Sequence, residues 1–295
     1  FRAITETIGY AELSEIWRQV DPAMRRASVA FARGEAAAGL SVYSEAGMVR
    51  FSADREGARE ALIAAWKLDY LGLKPDGRAS ETLILAQTNV DVLALNALAR
   101  SALKADGMLE NEARFITARG ERMFAPGDRV LFLENDRQLG VKNGMLATVE
   151  AASSGRLTVK LDRDGRGDGE RIEVHAEVYR NLDHGYAATV HKSQGATLDR
   201  VHVLATPGMD QHLAYVAMTR HRHTVILHGA HADFIPDWRK AKLGAAPSRG
   251  VLDAAALDGL SRRLSRDGSK ASTLDYVDEA AFREAAVALT RPPES

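Results

Sequence analysis

The chain contains no cysteine among its 295 residues. Without thiols it forms no disulfide framework, no thiolate metal site and no cysteine nucleophile, as is typical of proteins in a reducing cytosol. No run approaches the ~20 apolar residues of a membrane-spanning helix, and the opening segment lacks the basic start and apolar core of a secretory signal. We therefore expect a cytoplasmic protein without a membrane span. Because Phe1 is the first residue, we also expect a piece of a longer polypeptide.

An excess of charge of either sign is also absent. The chain has 39 basic and 40 acidic residues, for a formal net charge of -1. This balance argues against a uniformly basic coat for nucleic acid, but a local basic groove stays open because the distribution of charge sets the field. Hydrophobic residues make up 45% of the chain, which is enough for one large core or two smaller ones.

The first part of the chain shows helical periodicity. Apolar residues spaced among charges predict helix within residues 11–39, with a stop at Gly34. The same spacing predicts a further helix over residues 54–70, for which Asp54 is a good N-cap. Leu62, Ile63 and Trp66 form the face of this helix that we expect to be buried.

A strand, a turn and a helix follow. The short apolar run Thr82–Ala86 is bounded by polar residues, as a buried parallel strand would be. Asn89 or Asp91 is placed to cap the next helix, and Gly107 is placed to end it. This order is typical of an α/β domain, and we assign residues 1–120 to its first part.

Residues 121–182 differ in character. Short alternating runs separated by Gly, Asp and Asn turns predict a small inserted antiparallel β-barrel or sheet. The segment "DRDGRGDGE" at 162–170 is similar to a calcium loop, but it lacks the acidic spacing and the glutamate at the twelfth position, so a turn is favoured.

The α/β pattern resumes over residues 183–235, and a helical extension follows over residues 236–295. The extension is predicted to hold helices at 250–265 and 276–289. The α/β part is predicted to hold, in order, a strand at 184–191, a strand at 199–206, a helix at 212–222 and a strand at 224–229.

Hydrogen-bond donors crowd the end of the predicted strand at 184–191. Open α/β sheets usually bind ligands at the carboxyl ends of their strands, and hydroxyl, ammonium and amide donors suit phosphate oxygens. The candidates are Thr189, His191, Lys192, Ser193 and Gln194, followed by Gly195. An ordinary solvated charge is an equally good interpretation of Lys192. Capping or core packing is the competing interpretation for Thr189 and His191.

Two arginines follow on the next predicted element. Arg220 and Arg222 flank His221 and offer guanidinium forks that neutralise a developing phosphoryl charge. A solvated surface charge is the competing interpretation for Arg222.

Histidines and aromatic residues are the residue types of two further kinds of site, metal centres and base-stacking surfaces. The histidines are numerous but scattered, without a paired metal-binding spacing or a carboxylate set, so we predict no metal site. The aromatic residues Phe132, Tyr179 and Tyr186 are candidates for base stacking, although aromatics in β-rich segments are more often core residues.

Two segments carry a family resemblance. "ATVHKSQGATLDRVHVL" at 188–204, followed by "AYVAMTRHRHTVILH" at 214–228, resembles motifs V and VI of superfamily 1 helicases of the RecD/TraI type. "LSEIWRQ" at 13–19 resembles motif IV of the same family. "LILAQTNVDVLALNALAR" at 83–100 is similar to the next conserved block, with Asn89 where the family usually has arginine.

The two ends of the chain extend the resemblance. The opening "FRAI" and the segment "RLSRDGSKASTLDY" at 263–276 are similar to TraA-type conjugative relaxases, which join a DNA-nicking domain to such a helicase. The resemblance covers essentially the whole chain. It implies a RecA-like parallel sheet flanked by helices, with an inserted small antiparallel β-barrel and a helical C-terminal tail.

The resemblance also implies roles for individual residues. Arg18 and Arg220 would contact the γ-phosphate of ATP bound between two RecA-like domains. Coupling of the nucleotide state to the grip on DNA would fall to Gln19, Gln194 and Gly195. Contacts with single-stranded DNA would fall to Thr88, Thr189, His191, Lys192 and Ser193.

Two motifs of a complete motor are missing from the sequence. It has no G-x-x-x-x-G-K-[ST] phosphate loop, and "DEAA" at 278–281 follows no apolar strand as an acidic Mg²⁺ motif would. We therefore expect the C-terminal half of an ATP-dependent single-stranded DNA translocase that has no ATPase activity alone. ATP and Mg²⁺ would be bound mainly by the N-terminal RecA-like domain of the same parent chain, and the conjugation machinery is a further expected partner.

Two other functions stay open. The chain could serve as a catalytically silent helicase-like module that binds DNA or another protein, which the two arginines argue against. It could also serve as a scaffold for duplex DNA with the β insert as its binding surface, and binding would then be indifferent to strandedness.

Overall fold

The computed structural model describes residues 18–72, 80–162 and 169–268. The described helices are α1 (Pro22–Ala32), α2 (Ala36–Glu45), α3 (Arg55–Leu71), α4 (Asn89–Ala105), α5 (Gln211–Met218), α6 (His231–Phe234), α7 (Asp237–Lys240) and α8 (Arg249–Leu264), with 3₁₀ turns at Val190–Ser193 and Ala241–Leu243. The described strands are β1 (Val49–Ser52), β2 (Thr82–Ala86), β3 (Ala113–Thr117), β4 (Gly120–Phe124), β5 (Arg129–Phe132), β6 (Leu146–Ser153), β7 (Arg156–Leu161), β8 (Arg171–His175), β9 (Leu182–His184), β10 (Ala187–Thr189), β11 (Leu198–Leu204) and β12 (His221–Ala230).

A five-stranded parallel sheet forms the centre of the molecule, in the order β1-β12-β11-β2-β10. Helices cover both faces: α1, α2, α5 and α8 contribute to one core and α3 and α4 to the other. Tyr43 and Trp66 are among the largest fully buried side chains, one on each face. The RecA-like α/β sheet predicted from the sequence is confirmed.

Several local predictions are confirmed. Strand β2 has the predicted bounds and is buried at all five positions. Helix α3 begins after Asp54, whose Oδ1 accepts a hydrogen bond from Gly57 N at 2.9 Å. Helix α8 matches the helix predicted at 250–265. The helix predicted at 276–289 and residues 1–17 of the helix and motif IV predictions lie outside the described residues.

The N-cap predicted for α4 is wrong. The cap is Thr88, whose Oγ1 accepts a hydrogen bond from Asp91 N at 3.1 Å and donates to the Asp91 carboxylate at 2.7 Å. Asn89 is the first helical residue. The hydroxyl of an N-cap threonine accepts a hydrogen bond from the N3 amide. Asp91 stands at N3, so it supports the cap with its carboxylate instead of being the N-cap residue.

The single strand predicted at 184–191 is two strands. β9 pairs with β5 in an antiparallel sheet, and β10 pairs with β2 in the parallel sheet. Gly185 lies between them, and a Cβ there would come within 2.7 Å of the Val130 carbonyl carbon. The chain passes so close to the β5 backbone that only glycine fits at the crossing.

The helix predicted at 212–222 ends at Met218. The backbone carbonyl of Arg220 accepts a hydrogen bond from Leu198 N at 3.0 Å, and His221 already pairs with Leu198 in the parallel sheet. Sheet pairing therefore overrides the helical spacing. Arg220 lies in the short connection between α5 and β12 instead of within the helix.

The residues between α4 and β10 form two antiparallel sheets. One is a β3-β4 hairpin, and the other has the order β8-β7-β6-β5-β9, so within the described residues its edge strands β8 and β9 do not pair to close a barrel. Phe115 and Phe124 of the hairpin share one core with the larger sheet. The predicted small β insert is thus an open sheet with a hairpin packed on it.

The three aromatic residues considered for base stacking are core residues, which is the interpretation that their β-rich segments favoured. Phe132, Tyr179 and Tyr186 are 0%, 5% and 1% exposed. The Tyr186 hydroxyl donates to Asp128, and the Tyr179 hydroxyl donates to Glu134 O at 2.8 Å. Their rings and hydroxyls are engaged in the core, so they offer no face to a nucleotide.

Candidate functional site

Residues 189–197 cross the central sheet from one edge to the other. Thr189, the last residue of β10, pairs with Ala86, the last residue of β2, at the carboxyl edge. Thr197 directly precedes Leu198, which pairs with His221 at the start of β12 and thus at the amino edge. This connecting segment therefore touches both edges of the sheet, and each edge holds one part of the candidate site.

The first half of the connecting segment is a 3₁₀ turn. Thr189 caps it, with its Oγ1 accepting from Lys192 N at 3.4 Å. The Ser193 hydroxyl donates to Val190 O at 2.7 Å, and the residue is only 2% exposed. The Ser193 side chain thus closes the turn and is shielded from any ligand in this conformation.

The second half of the segment turns at Gly195. Its φ of 89° lies in the left-handed region that favours glycine, and nothing lies within 4 Å of where a Cβ would be. The neighbouring Gln194 and the preceding His191 are exposed. Their side chains are therefore free to contact a ligand or another domain.

A cluster of polar side chains gathers on Thr219 at the amino edge of the sheet. Arg18 Nη1 donates to Thr219 O at 2.7 Å and Gln19 Nε2 donates to the same oxygen at 3.1 Å. Arg220 Nη2 donates to Thr219 Oγ1 at 3.2 Å, while its Nε donates to Val216 O at 2.9 Å. Residues from two distant parts of the sequence are thereby held at one point.

No ion pair with a described residue neutralises the positive charge of this cluster. Neither Arg18 nor Arg220 takes part in an ion pair between described residues. Burial lowers the pKa of Arg220, and the charge of Arg18 lowers that pKa further. Burial is also the main cause that lowers the pKa of Arg18. Two close guanidinium groups in partly desolvated surroundings attract an anion.

Arg222 is in a different situation. Its Nη1 lies 3.1 Å from Glu81 Oε2 and 3.1 Å from Asp199 Oδ1. The two carboxylates satisfy its charge, so Arg222 acts as a structural link between strands β11 and β12 and the segment before β2. Of the two arginines that flank His221, only Arg220 keeps an uncompensated charge within the described residues.

One hydrogen bond joins the connecting segment to the arginine cluster. Arg18 Nε donates to Thr197 Oγ1 at 2.9 Å. Thr197 follows the turn at Gly195, so a movement of that turn displaces an acceptor of Arg18.

A groove of about 360 Å³ lies at the carboxyl edge, between α4, the β3-β4 hairpin and the end of β10. Thr189 and Lys192 line it together with Asn89 at the start of α4. Thr88 lies beside this group, exposed, with its hydroxyl engaged by Asp91. The remaining polar lining residues are Asn96, Arg119, Arg122, Asp183 and His184.

The structure thus divides the predicted site residues into two groups. Thr88, Thr189, His191 and Lys192 lie at or beside the groove edge, and the second group, Arg18, Gln19 and Arg220, lies at the other edge. Gln194 and Gly195 lie on the path between the groups.

Sequence reasoning missed several residues of this arrangement. Thr197 and Thr219 stand inside the recognised motifs, but nothing in their spacing showed that they contact Arg18 and Arg220. Arg119 precedes a glycine in a hairpin turn, which signals a surface loop and not a groove wall.

The donor set suits phosphate better than a metal ion. Guanidinium groups without a carboxylate partner bind phosphate oxygens, often with two parallel hydrogen bonds. No group of three or more His, Cys, Asp or Glu residues that could hold a metal ion occurs in residues 18–72, 80–162 and 169–268. In those same ranges, no helix is both long and apolar enough to cross a membrane.

Residues 128–229 match the family model described as the viral superfamily 1 RNA helicase core domain. The conjugal transfer protein TraA of Agrobacterium fabrum is 42% identical over 97% of this chain, and this chain spans 23% of that protein's length. The ATP-dependent RecD2 DNA helicase of Deinococcus radiodurans is 37% identical over 33% of this chain and 13% of its own length. A crystal structure of Bacteroides Pif1 bound to ssDNA matches with a TM-score of 0.48 at 19% identity, over 79% of this chain and 55% of that one.

Proposed function

We propose that this chain, which belongs to the superfamily 1 helicase region of TraA-like conjugal transfer proteins, is the second motor domain of an ATP-driven translocase on single-stranded DNA. One observation carries the proposal. A single short segment, residues 189–197, joins the groove that Thr189 and Lys192 line to a pair of arginines without an ion-pair partner among the described residues. Such a link is what a motor needs to connect nucleotide chemistry with its grip on a strand.

At the amino edge, Arg18 and Arg220 would contact the γ-phosphate of ATP. Guanidinium groups aimed at the transferred phosphoryl group stabilise its charge in the transition state. Arg220 is folded back on Val216 O in this structure, so it would exchange that carbonyl for a phosphate oxygen when the nucleotide is bound. Gln19 is 1% exposed and also donates to Thr219 O, so it would keep this carbonyl in place beside the two arginines.

The nucleotide would lie between this domain and another. The sequence carries no phosphate loop, so a second RecA-like domain would bind the ATP phosphates and supply the acidic ligands of Mg²⁺. A metal bound there would supply charge neutralisation for the phosphates. In ATP hydrolysis, the role of this chain would be to position two positive charges.

At the carboxyl edge, Thr88, Thr189, His191 and Lys192 would hold the backbone of single-stranded DNA. Their hydroxyl, imidazole and ammonium groups donate hydrogen bonds to phosphate oxygens and make no contact with base edges. A translocase without sequence preference requires such contacts. Ser193 would contribute by closing the 3₁₀ turn, since its hydroxyl is bonded to Val190 O.

The two edges would communicate through Gln194, Gly195 and Thr197. A turn at a glycine with φ 89° changes conformation at low cost, and Thr197 passes that change to Arg18 through a 2.9 Å hydrogen bond. Closure of the arginines on ATP would then shift the 3₁₀ turn that faces the DNA.

The test is DNA-stimulated ATP hydrolysis by the polypeptide that joins this chain to its phosphate-loop domain. Arg220→Ala should lower turnover by roughly 10³ with less effect on ATP affinity, as removal of an arginine finger does, and Arg220→Lys should restore little of it. Arg26→Ala, an exposed site on α1, is the control and should leave turnover within about twofold.

Two results would contradict the proposal. One is near-full DNA-stimulated turnover in Arg220→Ala. The other is ATP hydrolysis by this chain alone at a rate comparable to that of the joined polypeptide, because the chain would then hold a nucleotide site of its own.

A further inference from the structure

The β3-β4 hairpin and the 3₁₀ turn after β10 both contribute cationic side chains to the groove. Arg119 and Arg122 line the groove from this hairpin, and Lys192 lines it from the 3₁₀ turn. Burial lowers the pKa of the Lys192 ammonium, and the nearby charge of Arg119 lowers that pKa further. Three cationic side chains from two separate parts of the chain therefore converge on one groove.

One carboxylate, Asp183, faces these three cations. Its Oδ1 accepts from Arg122 Nε at 2.8 Å and its Oδ2 from Arg122 Nη2 at 3.3 Å, which fixes that guanidinium. Arg119 is more loosely held, at 3.7 Å from Asp183 Oδ2, and its side chain is 44% exposed. Burial lowers the pKa of His184, which also lines the groove, so its ring adds no charge near neutral pH. An excess of two positive charges thus remains among these lining residues.

The backbone of the hairpin turn is held in place. Thr117 Oγ1 accepts from Arg119 N at 3.1 Å and donates to Gly120 O at 2.7 Å. Ala118 N donates to Arg180 O at 2.8 Å. The turn is therefore preorganised, and only the Arg119 side chain has to move to reach a ligand.

Helix α4 contributes exposed apolar side chains to the groove, beside Asn89 and Asn96. Val90 and Leu93 line the groove and are 75% and 57% exposed. Apolar and cationic side chains that line one groove match a single strand, whose sugars and bases offer apolar surface while its phosphates carry the charge. A duplex keeps its bases stacked inside and offers no such face.

We propose that Arg119 and Lys192 clamp a backbone phosphate of single-stranded DNA between the β3-β4 turn and the 3₁₀ turn, with Val90 and Leu93 against the sugars and bases. Asp183 orients Arg122 and stands in as the partner of Arg119 until the phosphate replaces it. The inference rests on the proposed function, because it places the strand in the groove that Thr189 borders.

The first test is fluorescence anisotropy of a labelled oligothymidine with Arg119→Ala. Loss of a charge-assisted phosphate contact should weaken binding about tenfold and reduce the salt dependence of binding by about 0.7 in log-log slope. Arg114→Ala is the matched control: Arg114 is on the same hairpin, is 61% exposed, pairs with Glu121 at 2.7 Å and does not line the groove. It removes the same charge and should change affinity less than about twofold.

The second test uses the absence of natural cysteine. Ala118→Cys places one thiol on the exposed turn, and Ser154→Cys places one on the exposed β6-β7 turn as a control away from the groove. After attachment of a photocrosslinker, single-stranded DNA should crosslink at position 118 and not at position 154. Equal crosslinking at the two positions would overturn the inference.

The outcomes separate the two proposals. In one outcome, oligothymidine binding is lost in Thr189→Ala combined with His191→Ala, while Arg119→Ala and Arg114→Ala bind with equal affinity. The phosphate clamp is then wrong, and the DNA-binding role proposed for Thr189 and His191 stands. If the unaltered chain binds no single-stranded DNA, both are wrong. If Arg119→Ala alone weakens binding and the double variant does not, the clamp stands and the assigned role of Thr189 and His191 is wrong.

Discussion

Asp128 is the residue whose removal should most disturb the frame of the groove. It is 0% exposed and lies just before β5. Its carboxylate accepts from Arg100 Nε and Nη2 at 3.1 Å, from Ala125 N at 2.8 Å and from the Tyr186 hydroxyl at 2.5 Å. Those partners belong to α4, to the turn before β5 and to the segment entering β10. One carboxylate therefore fastens the β insert to the helix that forms the other groove wall.

Asp128→Ala would leave the Arg100 guanidinium, 12% exposed, with Glu112 at 3.2 Å as its remaining ion-pair partner within the described residues. Removing one member of a buried ion pair costs about 3–5 kcal/mol. For a chain of this size each kcal/mol lowers the melting temperature by about 2–4 °C, so we expect a fall of roughly 6–20 °C. Asp128→Asn keeps an acceptor without the charge, so its melting temperature should lie between those of the unaltered chain and Asp128→Ala.

Thermal unfolding followed by circular dichroism measures this effect. Asp258→Ala is the control, because Asp258 is 48% exposed and its ion pairs, with Arg262 at 3.1 Å and with Arg239, lie on the surface. Exposed pairs contribute about 0–1 kcal/mol, so its melting temperature should change by only a few degrees. Equal melting temperatures for Asp128→Ala and Asp258→Ala would refute the reasoning.

Three further predictions concern the connecting segment and the buried histidines. Thr197→Val removes the acceptor of Arg18 Nε, so DNA-stimulated ATPase of the joined polypeptide should fall about tenfold while oligothymidine affinity stays unchanged; a parallel loss of DNA affinity would contradict it. Gly195→Ala forces a side chain into φ 89° and should cost about 1–2 kcal/mol in urea unfolding, and an unchanged midpoint would contradict it. Burial lowers the pKa of His221 to about 4 and that of His228 to about 3, so the unfolded chain takes up protons below about pH 6.5 that the folded chain does not. The free energy of unfolding should therefore fall by roughly 3–4 kcal/mol from pH 7 to pH 5, and urea unfolding that is independent of pH would contradict this.

Local patterns predicted those elements whose cause is local. The apolar run Thr82–Ala86 is too short and too uniform for a surface helix, and it is a buried central strand. Asp54 precedes a helical apolar face, and it caps α3. In both cases the burial pattern and the cap depend on residues within a few positions of each other.

Tertiary contacts decided the elements that the sequence reasoning got wrong. The break between β9 and β10 depends on how closely Gly185 passes the β5 backbone, which lies more than fifty residues earlier in the chain. The end of α5 depends on Leu198 capturing the Arg220 carbonyl. Neither contact leaves a periodic signal in the segment that it changes.

The candidate site shows the same division. Residues 189–195 and Arg220 stand in recognisable motifs, so sequence alone could nominate them. Their separation onto opposite edges of the sheet, and the bond from Arg18 to Thr197, follow only from the strand order and register. Arg119 joins the groove through the packing of the hairpin, which no local pattern encodes.

The measurement that tests the central claim most directly is the affinity of this chain for a labelled single strand and for the matching duplex across a range of salt concentrations. The account predicts salt-sensitive binding that favours the single strand and is lost when Thr189→Ala and His191→Ala are combined. Equal binding of both forms, or a preference for the duplex that survives the double substitution, would contradict it.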